Sequence, residues 1–541
     1  MVDINLIWGA TILYAIVMVY LGYLGWKKTK SGEDFLLAGK KMHPWIIGLS
    51  YGSTFISTSA IVGFGGYAAT FGMGIIWLAA LNILVGVLIA FVFFGGRVRE
   101  IGHRLKAQTF PEFLGKSYQS SFIRWFVALV ILIGMPLYAA AVLIGGSVFM
   151  STTIPGLDLN SALLIFAVVT ALYVITGGLR AVMYTDALQA GLMIIGMLII
   201  LAITLTLVGG VTNANQTLGT LTPQIPSSLT AQGMTGFTSF PTLGSENWFA
   251  LVATIILPVG IGVLAQPQLT VRFMTAKDTK SLNRAIPVGG MFLLMMTGFA
   301  FTIGAWSNVY FWNHYSKVAV TYVGGSKFID NIIPTFINLS MDQTVVTLFL
   351  LTLLAAAMST LSSLFHVMGS AAGYDLWSVL ITKGRFKKYA NSESSAKGSL
   401  LINRVATLLV IVVSLALALG LPKSGGFIAI ATAMFFGICA SAFLPLFVHV
   451  LFAKKPSKLA AELSLAVGTL VWVFWTLFVF AKDSAVYGIS HALFGTDNII
   501  GKPWSIIDPI MIALPLSTVT LIVVWFVMRN RKKEGVATPA Q

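Results

Sequence analysis

Charge is what this chain has least of: only 10% of its 541 residues are Asp, Glu, Lys or Arg, against about 25% in soluble domains. Acids are the scarcer sign, 18 against 34 Lys and Arg. With 57% hydrophobic residues there is too little polar surface for a soluble globule, and an integral membrane protein is expected. One cysteine, Cys439, rules out an internal disulfide; in its apolar setting the default role is a small buried thiol. The six histidines, His43, His103, His314, His366, His449 and His491, are scattered without metal-site spacing. No nucleophile, base or metal cluster is visible, so an enzyme is not expected, and no cofactor either. The GIG of residues 260–262 has no strand beside it and is too weak to read as a phosphate loop.

What is present is apolar length. Thirteen apolar spans are expected, roughly at 6–26, 44–70, 74–96, 124–150, 160–178, 184–209, 247–271, 287–314, 331–380, 400–420, 427–452, 460–481 and 505–528. The 331–380 stretch is too long for one crossing and is expected to open with a short external helix. When the connections are assigned to alternate sides, 29 of the 34 Lys and Arg fall on one side. The other side holds Lys317, Lys327, Lys423, Lys482 and Lys502. The positive-inside rule then predicts a multi-pass cell-membrane protein with the N-terminus outside and the C-terminus cytoplasmic. Because the basic residues are spread over seven segments, the net charge of +16 is a topology signal and no nucleic-acid partner is expected.

Two stretches carry the polar chemistry. Between Leu351 and Trp377, Ser359, Thr360, Ser362 and Ser363 cluster in the middle of an apolar helix, and Ser359, Ser363, His366 and Ser370 share one face. Hydroxyls at that depth must face protein or water. Single hydroxyls usually just tie helices together, but four in five residues beside Ala355, Ala356 and Ala357 suit a small hard cation. The second stretch, Ser50–Gly74, repeats hydroxyls at Ser50, Ser53, Thr54 and Ser57 before Gly63, Gly65 and Gly66, and is expected to be an interrupted helix. The seventh span holds Pro258, Gly260, Gly262 and Pro267 and reads as a second broken helix five spans later. That spacing predicts an inverted repeat of five plus five helices, with the transport site at the two breaks. Asp186 is a rare carboxylate at a span edge and a functional candidate; an ion pair with Arg180 or another interfacial arginine is the equally weighted structural alternative. The 209–246 segment is polar and external, and the sequence leaves open whether it orders as a lid.

These stretches together resemble the sodium/solute symporter family. The likeness is carried by DFLLAGKKMHPWIIGLS (34–50), ITGGLRAVMYTDALQAG (175–191), AQPQLTVRFMTAKD (265–278) and AAAMSTLSS (355–363), over about residues 30–460. QPQLTVRFM and AMSTLS look most like proline permeases. The resemblance implies an all-α leucine-transporter-type fold of about 13 helices, its repeat starting at span 2, with one extra helix before and two after. Residues 1–43 are then a peripheral span and loop, 44–452 the transport core, and 453–541 two peripheral spans with a basic cytoplasmic tail. It implies sodium ligands from the hydroxyls of Ser359 and Thr360 and the carbonyls of Ser53, Ile56 and Ala356. Asp186 would stand near the inner ion path and Tyr138 at the solute, with Ser57, Val259 and Val263 on the same path. The chain departs from proline permeases at Phe55, where they carry an aspartate, and at Val259 and Val263, where they carry aromatics. The implied function is sodium-coupled import of a small organic solute, an amino acid such as proline or a small carboxylate. A channel or a proton-coupled carrier is the alternative. The partners implied are the solute, sodium and the lipid bilayer, with no obligate protein partner.

Overall fold

The computed structural model describes residues 4–29, 32–377, 394–421 and 425–534, and the description below is of those residues. Lys423, most of the basic connection that begins at Lys383, and the last residues of the tail lie outside them. The described chain is helical from end to end, with one isolated bridge between Met42 and Ala276 and no sheet.

Helix α1 (Ile4–Lys28) leans on the side of the molecule. Its outer side chains, such as Leu13 and Ile16, are bare and apolar, while Tyr14 takes a 2.8 Å hydrogen bond from Gln189. The second span is split. α2 (Pro44–Phe55) begins under the His43 cap and leaves helical geometry at Ile56 (φ −85°, ψ 100°). A wide turn at Ser59–Gly63 restarts it as α3 (Phe64–Phe71). The glycines of this stretch do not make the break. They permit close approach: a Cβ on Gly66 would lie 2.4 Å from the Ile329 carbonyl. α4 (Ser121–Thr153) carries Pro136 and Tyr138, and α5 (Leu159–Leu207) is two helices joined at Gly178 (φ 60°).

The 209–246 segment is ordered, with helices at Gly210–Thr220 and Ser227–Ala231, and is pinned by Met73 N–H donating to the Phe237 carbonyl at 2.7 Å. The seventh span is broken as expected, but at Gln266 (ψ 124°), between α6 (Leu257–Gly262) and α7 (Pro267–Met274), not at Pro258 or Gly260. After α8 (Thr279–Tyr315) comes the short helix α9 (Ile332–Ser340), and then α10 (Gln343–Ser370), which carries the hydroxyl cluster. A helix at Ser394–Gly420 follows, then α11 (Phe427–Ile438), α12 (Lys458–Phe474) and α13 (Ile510–Glu534).

The scarce acids have definite employment. Asp158, Asp278 and Asp342 each accept backbone N–H groups at the start of α5, α8 and α10, where the first turn has no helical acceptors. Isolated hydroxyls behave as the bland reading expects: Thr204, Thr297 and Thr432 bond the carbonyl four residues back in their own helices. Eleven helical stretches among the described residues are long and apolar enough to cross a membrane. The tally falls short of thirteen because Ser59–Arg104 counts as one stretch, fusing the second half of span 2 with span 3, while Leu159–Leu172 is shorter than a full crossing.

Candidate functional site

The break in α2 creates the site. Ending a helix strands its last carbonyls, and two of those in α2 are collected by the hydroxyl cluster of α10. Ser359 Oγ donates to the Ser53 carbonyl at 2.9 Å and to the Ala356 carbonyl at 3.1 Å. Thr360 Oγ1 donates to the Thr54 carbonyl at 3.0 Å. Ser362 and Ser363 turn back to the Ser359 carbonyl at 3.0 and 3.1 Å. Ser53, Ala356, Ser359 and Thr360 are thus brought together, with Ile56 at the end of the same helix. The Thr54 carbonyl is a member that sequence reasoning missed.

A charged network lies directly against this cluster. Asp186 is completely buried and pairs with Arg272, Nη2 to Oδ2 at 2.8 Å. The alternative partner, Arg180, is elsewhere: it binds Asp34 and the Ala38 carbonyl, both at 3.0 Å. Arg272 is one of the 29 Lys and Arg assigned to one side, yet it is buried in the last turn of α7, so that total overstates the exposed charge by one. Ser50 donates to Asp186 Oδ2 at 2.6 Å and accepts from Arg272 Nε at 2.8 Å. Arg272 also reaches Ser363 Oγ at 2.5 Å, and Thr54 Oγ1 sits 2.9 Å from Ser363 Oγ. Helices α2, α5, α7 and α10 therefore meet around one ion pair, and Asp186 Oδ1 has no hydrogen-bond partner. The signal for Arg272 was in the sequence, as a lone arginine within PQLTVRFM before the polar TAKD begins.

A small void opens on the other side of the break. Its volume is about 10 Å³, room for no more than about one water. Ser57, Tyr138 and Val259 line it together with Phe55, Asn82 and Thr432. Val263 does not reach it; its methyls pack toward Gly86 instead. Tyr138 stacks on Phe435 with centroids 5.7 Å apart, and no charged side chain faces the void. Beyond α3 lies a larger cavity of about 410 Å³, bordered by Tyr67, Thr70, Asn247, Lys327, Phe427 and Lys482. His366 is a core histidine, its ring against Phe35 at 5.2 Å. Cys439 is a buried free thiol.

The model of the sodium:solute symporter family matches residues 35–468 of the chain. The sodium/proline symporter of Escherichia coli (strain K12) is 26% identical over 474 residues, covering 86% of this chain and 87% of that protein. The sodium/pantothenate symporter of Haemophilus influenzae is 26% identical over 339 residues, covering 62% of this chain and 65% of the other. Among solved structures, a Na+-coupled sialic acid symporter in a substrate-bound outward-open state superposes with a TM-score of 0.69 at 17% identity, over 96% of this chain and 98% of that one. At that identity the likeness is one of fold.

Proposed function

Because the chain belongs to the sodium:solute symporter family, we propose that it imports a small carboxylate-bearing solute, an amino acid such as proline or a compact organic acid, driven by sodium entry across the cell membrane. The scaffold is thirteen membrane helices with an inverted five-plus-five core of the leucine-transporter type, and the C-terminus is cytoplasmic. Named relatives carry proline and pantothenate, and the structural neighbour carries sialic acid; all three solutes bear a carboxylate.

The observation that carries this reading is the pairing of the stranded Ser53 and Thr54 carbonyls with the Ser359 and Thr360 hydroxyls. A hydroxyl donating to a carbonyl presents two oxygens side by side. When each proton turns away, both oxygens are free for a cation that takes only oxygen ligands. Sodium bound by these hydroxyls and by the Ser53, Ile56 and Ala356 carbonyls bridges α2 to α10 without a formal protein charge. Such a site is weak and reversible. The bridged arrangement binds sodium and the separated one does not, and that difference in affinity is the coupling. Asp186, one helix away with Oδ1 free, gives the leaving ion a charged oxygen toward the cytoplasm.

The solute position is the void beside the break. Its walls are neutral, so the solute's carboxylate is met by dipoles: the chain restarts as a helix at Thr58–Ser59, and the positive end of that restart lies beside Ser57. The void must widen for any solute to fit, which is the movement alternating access requires. The test is uptake of labelled proline, other amino acids, monocarboxylates and pantothenate into proteoliposomes. Uptake is expected only with an inward sodium gradient. Equal uptake on a proton gradient in sodium-free medium, or competition by sugars and by none of the acids, overturns the reading.

A further inference from the structure

A second group of oxygens gathers near the opposite end of the broken seventh span from Arg272, where the Glu246–Met274 and Lys458–Val479 stretches end, and the transport reading makes no use of it. Thr254 stands on the turn of Phe249–Ile256 that leads into α6, and Thr476 on the turn Trp475–Val479 that ends α12. Asp483 comes from the short helix Ala481–Tyr487, and Asp508 from the residues just before α13. The arrangement is fixed by backbone contacts around it. Trp475 Nε1 donates to the Ile507 carbonyl at 2.9 Å, which sets Asp508 beside the Thr476 turn, and Ser484 Oγ donates to the Leu477 carbonyl at 2.7 Å. Asp508 spends Oδ1 on the Ile510 N–H at 3.0 Å, capping α13.

All four side chains are buried, none more than 5% exposed. Asp483 lies against Thr476 and Asp508 against Thr254, and the two carboxylates interact with each other. Asp483 Oδ1, Thr254 Oγ1 and Thr476 Oγ1 nevertheless have no hydrogen-bond partner. Among the described residues neither carboxylate forms an ion pair. Lys482, next to Asp483 in sequence, borders the large cavity, and its charge acts on both carboxylates without a direct ion pair. Buried oxygens are ordinarily satisfied, and two carboxylates sharing a dry site cannot both stay ionised unaided. An oxygen-only set with no nitrogen donor except a capping N–H matches a hard cation.

We propose that Thr254, Thr476, Asp483 and Asp508 form a binding site for a hard metal cation, joining the first half of the broken seventh span to the α12–α13 pair. The free carboxylate oxygens and the two hydroxyls fall slightly short of the roughly six to eight oxygens calcium takes, a gap that water fills.

The test uses the purified full-length chain in nanodiscs at constant sodium concentration, with radioactive calcium alone as titrant and thermal stability as a second readout. The wild type is expected to bind one calcium per chain saturably and to gain in Tm. Asp483→Asn is expected to abolish both effects, and Thr254→Val to raise the calcium Kd by about tenfold or more. Should Asp483→Asn not fold, Thr254→Val and Thr476→Val carry the comparison. Displacement of calcium by sodium in the wild type alone would support the site and assign it to sodium. Absence of saturable binding to the folded wild type, or binding unchanged in the variants, overturns the proposal and shows a carboxyl pair sharing a proton. Neither result bears on sodium-coupled uptake, which is measured separately.

Discussion

Ser359 and Thr360 each hold a carbonyl that the end of α2 leaves without a helical donor. Alanine at either position removes one proposed ion ligand and strands one buried carbonyl. We therefore expect Ser359→Ala or Thr360→Ala to raise the sodium concentration for half-maximal uptake by about tenfold, or about 1.4 kcal/mol; sodium dependence unaltered in both would remove these residues from the site. The hydroxyl cluster was legible because hydroxyls crowd visibly in an apolar helix. Arg272 stood out as a lone arginine, but its partner was not legible, since Asp186 is 86 positions away in the chain and in contact only after folding. Asp330 gives a second expectation at this scale. It lies between α8 and α9, outside the membrane spans, and its Oδ2 accepts from Ile428 N–H at the start of α11. Burial pushes its carboxyl up to about 7, opposed in part by the Ile428 and Phe427 N–H groups. A carboxyl with a raised folded pKa favours folding while protonated. Its contribution is full below the unfolded pKa, about 3.9, and is lost as pH rises toward 7. Asp330→Asn keeps an acceptor for the cap and removes the titration, so Tm should fall less between pH 4 and 7 (about the window just given) than in wild type. An identical pH profile would show that Asp330 does not titrate there.

At the scale of elements, both broken helices were visible in the sequence, but of the residues credited with the breaks only Pro267 stands at one; the others do other work. Glycine and proline mark places where a helix is weak; tertiary contacts decide where it opens. In the second span the opening is at Ile56, where α10 supplies hydroxyl donors for the freed carbonyls, and the downstream glycines serve contacts to neighbouring backbones. In the seventh it is at Gln266, since the residue before Pro267 is biased toward extended geometry. Gly262 belongs to the packing class: a Cβ there would lie 2.2 Å from the Phe436 carbonyl of α11. A clash with backbone cannot be relieved by a rotamer change, so Gly262→Ala should destabilise the protein by about 1–3 kcal/mol and spread α6 from α11 beside the small void. Gly298→Ala, where a Cβ meets nothing within 4 Å, is the control and should leave Tm unchanged or slightly raised. Equal effects of the two substitutions would refute the packing argument.

For the whole molecule, composition alone indicated the membrane, and the charge asymmetry indicated the orientation. What sequence cannot count is a crossing that folding divides or fuses. Orientation follows from charge because translocating Lys and Arg outward is disfavoured during insertion. The sequence assigns Lys327 and Lys502 to one face and Lys277 and Lys280 to the other, and all four are exposed. The single native thiol, Cys439, is buried, so the unmodified chain should give a low background with a membrane-impermeant maleimide. Lys327→Cys and Lys502→Cys should be labelled on intact cells. Lys277→Cys and Lys280→Cys should be labelled only after permeabilisation. Lys327 also borders the large cavity, so its labelling should slow when a transported solute holds the protein in a state closed to the outside, whereas labelling at Lys502, whose ammonium pairs with Glu246 on the surface, should not. Labelling of the Lys277 and Lys280 positions from outside would reverse the orientation, and with it the direction of the proposed sodium path from Ser359 to Asp186.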